Sequence, residues 1–370
     1  MPGVPVPRLG NVPASPLARP VSAAHRAFFH AMPKVELHCH LLGAIRQETF
    51  AALAERARAP ITREQINGFY TRGAKPVGVL HVLRTLERHM LLEPEVFERI
   101  AYEYLEDAAA ENVRHAEFFW NPTATVRDGG LPYAAIQDAI VAGIDRARRD
   151  HGISALLIPS IDREAGGEAA IAMVEAMLAH RHPAVPGIGI DYRENDHPPE
   201  GFIEAYALAR RHGLRATAHA GEFGMPWTNV ETAVERLGVD RVDHGYTIVD
   251  NPALAREYAA RALVFTVVPT NSFYLRTLPP ERWALDHPIR RMAQLGLSLH
   301  PNTDDPTLHH VTPAGAWELM YSHLGFDIAD LRAMMQNGIK ASWATAEQKL
   351  GWGKAFQLAF DAAAARLSPA

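Results

Sequence analysis

The chain reads as a parallel β-barrel wrapped by helices, and three observations carry that expectation. Short β-like runs recur along it, amphipathic stretches separate them, and residues suited to catalysis stand at the ends of several runs. The runs cover residues 34–40, 114–121, 153–161, 187–192, 214–220, 241–246, 262–270 and 297–302. Strands alternating with helical segments in this way are what a parallel barrel with outer helices requires.

The first run alternates apolar and polar residues and ends in His38-Cys39-His40. Alternate strand residues share a face, so the two imidazoles converge while Cys39 points to the outer helices as a small buried residue. Two neutral imidazoles aimed at one point suit a borderline-soft metal such as zinc. The spacing alone says little in a chain with 19 histidines. The interval before the second run is too long for a simple crossover. It holds Phe69-Tyr70-Thr71-Arg72-Gly73 and two helical stretches, the first over 79–92 and the second opened by Pro94. In a barrel enzyme such an insertion sits over the C-terminal mouth.

Helical apolar spacing follows over 133–149, just after Pro132, and again over 202–212. The fifth run ends in His219-Ala220-Gly221-Glu222, the sixth in Asp243-His244-Gly245 and the eighth in Asn302-Thr303-Asp304-Asp305-Pro306. A parallel barrel gathers all such ends on one face. Three His and one Asp there would hold zinc and leave a position for water, which zinc activates near neutral pH. His309-His310 follows as loop residues at the mouth, and 353–367 reads as a terminal amphipathic helix.

Of the 370 residues, 48% are hydrophobic, and the net charge of −5 with a pI near 6.4 gives no basic footprint for nucleic acid. The single Cys excludes an internal disulfide framework and suits a reducing compartment. No apolar run is long enough to span a membrane. Pro2, Pro5, Pro7, Pro13, Pro16 and Pro20 mark residues 1–25 as a flexible or loosely docked arm rather than a signal peptide. One domain over 26–370, in a soluble cytoplasmic protein, is the resulting expectation.

Four ordered motifs carry a resemblance. Pro33-Lys34-Val35-Glu36-Leu37-His38-Cys39-His40, His219-Ala220-Gly221-Glu222, Arg241-Val242-Asp243-His244-Gly245 and Asn302-Thr303-Asp304-Asp305-Pro306 resemble those of adenosine deaminase and its relatives in the amidohydrolase superfamily. The resemblance implies a (β/α)8 barrel and one zinc ion per chain, held by His38, His40, His219 and Asp304. It further implies that Glu222 protonates purine N1 as C6 is attacked. His244 orients the attacking water and takes its proton, with Asp304 sharing that hydrogen bond. Asp305 addresses N7, and His40 also borders the substrate. An acid at N1 is what the chemistry needs, because attack at C6 disrupts the ring and builds charge there. The product is a 6-oxopurine plus ammonia. Zinc deaminases of the other type need H-x-E and P-C-x-x-C, which a chain with one Cys does not supply.

Two positions depart from the nucleoside enzymes. Those typically carry Leu-Asp-Gly after the H-x-H pair, the acid holding the ribose 5′-hydroxyl, whereas this chain has Leu41-Leu42-Gly43. An apolar side chain leaves that hydroxyl desolvated at a cost of about 1–3 kcal/mol. After the fourth run, Glu194 stands where a glycine N–H meets purine N3. The sequence Glu194-Asn195-Asp196-His197-Pro198-Pro199 looks closer to relatives that deaminate free adenine. Glu194 would then accept the N9–H of a base, unless it pairs with Arg193 or another rim arginine. The partner expected is a small purine, with no nucleic acid or membrane. Two other readings stay open: hydrolysis of a different C–N bond on a non-purine, and a purine-binding protein without catalysis.

Overall fold

The computed structural model describes residues 12–71 and 78–367. Eight strands, β1 (Lys34–His40), β2 (Val113–Trp120), β3 (Ser154–Asp162), β4 (Gly187–Asp191), β5 (Arg215–Ala220), β6 (Arg241–His244), β7 (Val264–Val267) and β8 (Ser298–Pro301), pair in that order. Every pairing is parallel. The sheet closes on itself just past β8. The Asp304 N–H donates to the His38 carbonyl at 2.9 Å, and the His40 N–H donates to the Asp304 carbonyl at 2.8 Å. Beside this seam the Leu37 N–H donates to Asn302 Oδ1 at 2.8 Å. The expected (β/α)8 barrel is therefore present, with β1 at its expected bounds and β7 shorter than the run 262–270.

Alternation in β1 sends Val35, Leu37 and Cys39 into the apolar layer under the helices. Burial pushes the Cys39 thiol up, next to Tyr104 of the helix Pro94–Ala110. The barrel interior, by contrast, is polar. Arg241 and Glu117 form an ion pair with both side chains fully buried, and Arg241 also lies 4.6 Å over the Trp343 ring. Burial alone would raise the Glu117 carboxyl, but Arg241 and His115 hold it down at about 2.

The helix Tyr133–His151 covers the expected stretch and ends at Gly152, whose φ of 70° supplies the left-handed cap. The insertion is richer than expected. Gln47–Arg56 and Arg63–Phe69 are helices as well as Val79–His89 and Pro94–Ala110. Short polar helices leave a weak apolar period, although Thr62 and Gln65 form a capping box that marks one of them. Arg84 ties the Val79–His89 helix to the end of β3 through Asp162 at 2.8 Å and sits 3.8 Å over the Tyr192 ring after β4. The insertion thus lies against the C-terminal strand ends. Arg72 and Gly73 lie outside the described residues.

Residues 1–11 of the Pro-rich arm also lie outside them, but the rest is held. Ser15 Oγ donates to the His323 carbonyl at 2.7 Å and the Arg19 N–H to that of Ser322 at 3.0 Å. A helix begins at Ala23, inside the stretch read as arm, behind a Ser22–His25 capping box. The last helix, Ala346–Ala364, starts earlier than the glycines at 351 and 353 imply, because Thr345 and Gln348 cap it. No helix among the described residues is long and apolar enough to cross a membrane.

Arg241→Met is expected to lower the unfolding free energy by about 3–5 kcal/mol, because it strands the Glu117 charge in the interior. Denaturant titration checks this; an unchanged midpoint would mean that His115 alone neutralises Glu117.

Candidate active site

The seam that closes the barrel also builds a polar cluster. His40 Nε2 lies 3.2 Å from Asp304 Oδ1 and 3.1 Å from His219 Nε2, while His38 Nε2 lies 3.5 Å from Asp304 Oδ1. A tetrahedral zinc with bonds near 2.0–2.1 Å needs ligand atoms roughly 3.3 Å apart. The spacing fits. Ligand atoms of His38, His219, His244 and Asp304 also fall within 4.8 Å of one another. His38 Nε2 and His244 Nε2 are buried without a hydrogen bond, as expected of nitrogens reserved for an ion or a reacting water. His244 and Asp304 both take φ of 65°, a left-handed conformation in which non-glycine residues are strained.

Around this cluster stand residues whose roles the sequence did not reveal. His40 Nδ1 lies 3.5 Å from Asp191 Oδ2 at the end of β4, and His219 Nδ1 lies 3.4 Å from Asp243 Oδ2 on β6. His38 Nδ1 lies 3.1 Å from Thr266 Oγ1, which in turn donates to Asp243 Oδ1 at 2.8 Å. Carboxylates behind imidazoles orient the rings and raise their basicity. Burial would raise the Asp243 carboxyl, but the His219 contact holds it well below the usual range. The available signal was that Asp191 ends β4 and Asp243 stands beside His244 at the end of β6.

Glu222 occupies the other side of the site. Burial, then the charges of Asp304 and Glu194, push its carboxyl well above the ordinary range. The Asn271 amide donates to its Oε1 at 3.1 Å, and His244 Nε2 lies 3.6 Å from its Oε2. Burial and the nearby His38 and His219 keep His244 neutral. The Tyr246 hydroxyl donates to the Val268 carbonyl at 3.1 Å and lies 3.2 Å from His244 Nδ1. With its proton committed, Tyr246 accepts from Nδ1–H and leaves Nε2 as the free base.

Of these groups, His40, Asp191, His219, Glu222, Asn271 and Asp304 line a cavity of about 630 Å3, while His38 and His244 are fully buried and do not line it. Its floor includes His40, His219, Glu222, Asp304 and Asp305, and Leu42, Val79, Leu80, Leu83 and Phe273 form an apolar wall. Asp305 packs so closely on Gly43 that a Cβ there would meet its Oδ1 at 1.8 Å. His309 lines the cavity with its Nε2 3.2 Å from Ser272 Oγ, and Arg276 lines the mouth; His310 and Tyr274 do not face the cavity.

Glu194 lies apart from the cavity lining. Its carboxylate accepts from the Gly221 N–H at 2.9 Å, the Asn229 amide at 2.8 Å and the Glu222 N–H at 3.0 Å. Arg193 instead lies 3.8 Å from Glu164. Tyr192 takes φ of 65°, which breaks the strand alternation and turns Glu194 away from the position a regular strand would give it.

A metal-sized His/Asp cluster at the C-terminal mouth of a (β/α)8 barrel defines the amidohydrolase type of site. The adenosine deaminase family model matches residues 33–353. An adenine deaminase from Cupriavidus taiwanensis is 33% identical over 333 residues, spanning 89% of this chain and 92% of that protein. The crystal structure of a Burkholderia ambifaria amidohydrolase with bound zinc is similar at a TM-score of 0.95 and 64% identity, covering 97% of this chain and 98% of that one. An adenine deaminase from Arthrobacter aurescens follows at 0.80 and 28%, covering 89% and 99%. The chain belongs to the adenosine deaminase family.

Asp191→Asn and Asp243→Asn should each weaken zinc binding about 10–100-fold, read by competition with a chelator. Unaltered zinc affinity in both would show that the rings need no carboxylate behind them.

Proposed function

We propose that this protein is a zinc-dependent aminohydrolase that converts a 6-aminopurine to the 6-oxopurine and ammonia, with free adenine as its substrate. One observation carries this: Glu222, a buried carboxyl pushed up from its ordinary range, lines one cavity with His40, His219 and Asp304, and His38 lies 3.5 Å from that Asp304. Bound at His38, His40, His219 and Asp304, zinc supplies Lewis-acid activation of water near neutral pH.

The protein's own groups handle the protons. His244 Nε2, neutral and unbonded, takes a proton from the attacking water as its oxygen joins C6. Glu222 gives its proton to N1, so the ring accepts the electron pair without a bare negative charge. The C6–N bond then breaks, and the proton collected from water leaves with ammonia. The C6 hydroxyl proton passes to Glu222 as that oxygen becomes the carbonyl, and N1 keeps its hydrogen in the 6-oxo product. Asp305, which lines the same cavity, would address N7. Adenine is favoured because Leu42 lines the wall where the nucleoside enzymes carry an acid, and because two of the three relatives above are named adenine deaminases.

The cavity volume supports a second substrate. About 630 Å3 lies within the range of roughly 300–1,000 Å3 typical of drug-sized ligands. A nucleoside with an apolar 5′ group would fill it and face Leu42 without stranding a hydroxyl.

Ammonia release by the zinc-loaded protein tests both substrates, using adenine, adenosine, deoxyadenosine and 5′-, 2- and N6-modified analogues. Turnover of adenine well above adenosine is the expected result; preference for a 5′-apolar nucleoside would select the second. Inertness toward all of them would leave hydrolysis of a non-purine C–N bond as the better reading.

Glu222→Gln should keep its zinc and lose about 10²–10⁴-fold in kcat. Near-normal turnover would remove Glu222 from the acid's role. His219→Ala should lose metal and activity together, and full zinc occupancy in that variant would break the ligand assignment.

A further inference from the structure

We infer that Glu194 is a positioning residue for the deamination reaction, an internal anion that clamps the Gly221–Glu222 backbone and thereby aims the Glu222 side chain. This inference rests on the deaminase reading above. Its support is geometric. Glu194 is 2% exposed, and its oxygens take three N–H donors at 2.8–3.0 Å. Two of these are successive backbone amides, those of Gly221 and Glu222. Gly221 has φ of 64°, and a Cβ there would lie 2.3 Å from Thr247 Oγ1, so the turn is both left-handed and tightly backed. Successive N–H groups pointing the same way around a left-handed residue form a nest that binds an anion. Here the anion is the chain's own carboxylate.

The consequence follows from where the nest lies. It begins two residues after His219, and its second amide belongs to Glu222. The Glu222 side chain is held separately by the Asn271 amide at 3.1 Å. Two anchors, one on the backbone and one on the carboxyl, define the side chain's position. With only the Asn271 contact, the carboxyl could swing with the turn, and a displacement near 1 Å costs about 100-fold in rate. Glu194 also joins the end of β4 to the end of β5. The same β4 end carries Asp191 behind His40, so one short segment serves both the metal cluster and the acid.

The alternatives make different kinetic predictions. A substrate contact, such as a bond to N9–H, would raise KM when removed. A purely structural residue would lower zinc content, folding and activity together. A positioning residue acts only through Glu222.

The test compares Glu194→Gln and Glu194→Asp with wild type, and repeats Glu194→Gln in a Glu222→Gln background. The readouts are zinc content, kcat and KM on whichever purine wild type deaminates. Glu194→Gln faces an amide NH2 toward a backbone N–H, and should lower kcat about 10–100-fold with KM changed by less than about 3-fold and full zinc. Glu194→Asp keeps the charge but draws it back, and should show the same kcat-only pattern. In the Glu222→Gln background the further loss should be less than about 2-fold, because residues acting as one unit are not additive.

A raised KM at normal kcat, zinc loss in step with kcat, or an undiminished effect in the Glu222→Gln background would each overturn the assignment. So would failure of both single variants to fold, which would make Glu194 a stability residue. If wild type deaminates no purine at all, the deaminase reading itself fails, which is a separate result.

Discussion

The seam between the last strand and the first is the constraint on which the rest depends. Asp304 exchanges backbone hydrogen bonds with His38 and His40, so its peptide closes the barrel. Strand alternation sends His38 and His40 to the inside, and the bracketed Asp304 presents its carboxylate between them. Closing the fold and assembling three of the proposed ligands are therefore one event. The left-handed Asp304 backbone costs on the order of 1–3 kcal/mol, and the two seam hydrogen bonds hold it there.

Around that seam the barrel interior is unusually polar, and its acids are given opposite characters by their surroundings. Asp243 touches His219 and stays ionised. Glu222 faces burial and two neighbouring carboxylates, which push its carboxyl up. Deeper in, Arg241 neutralises Glu117. Each carboxyl is shifted by its own surroundings, so acids of similar chemistry stand as ring support, proposed proton donor and core ion pair in the same barrel.

The insertion after β1 adds an apolar wall beside this polar floor. Its Val79–His89 helix is fastened over β3 and β4 by Arg84 and presents Val79, Leu80 and Leu83 to the cavity, facing the same space as Leu42. A ligand entering there meets polar groups at one end and apolar wall at the other, so its orientation is constrained before any proton moves.

The alternation in 34–40, the helical spacing of 133–149 and the His- and Asp-bearing strand ends were sufficient to predict a parallel barrel with a polar C-terminal mouth. They are local patterns, and a barrel converts them into one face whatever the details of packing. The short helices of the insertion were less legible, because their capping boxes are local but their apolar faces are defined only by what they cover. Glu194 marks the clearest limit. Its residue type promised a substrate contact, yet the left-handed turn at Tyr192 carries it to the amides of Gly221 and Glu222. Likewise nothing local links Asp191 to His40 or Asp243 to His219. The sequence by itself determined which chemical groups reach the mouth of the barrel. Only the tertiary structure decided which donor meets which acceptor, because hydrogen-bond partners are selected over a few ångströms by backbone turns and packing between segments far apart in the chain.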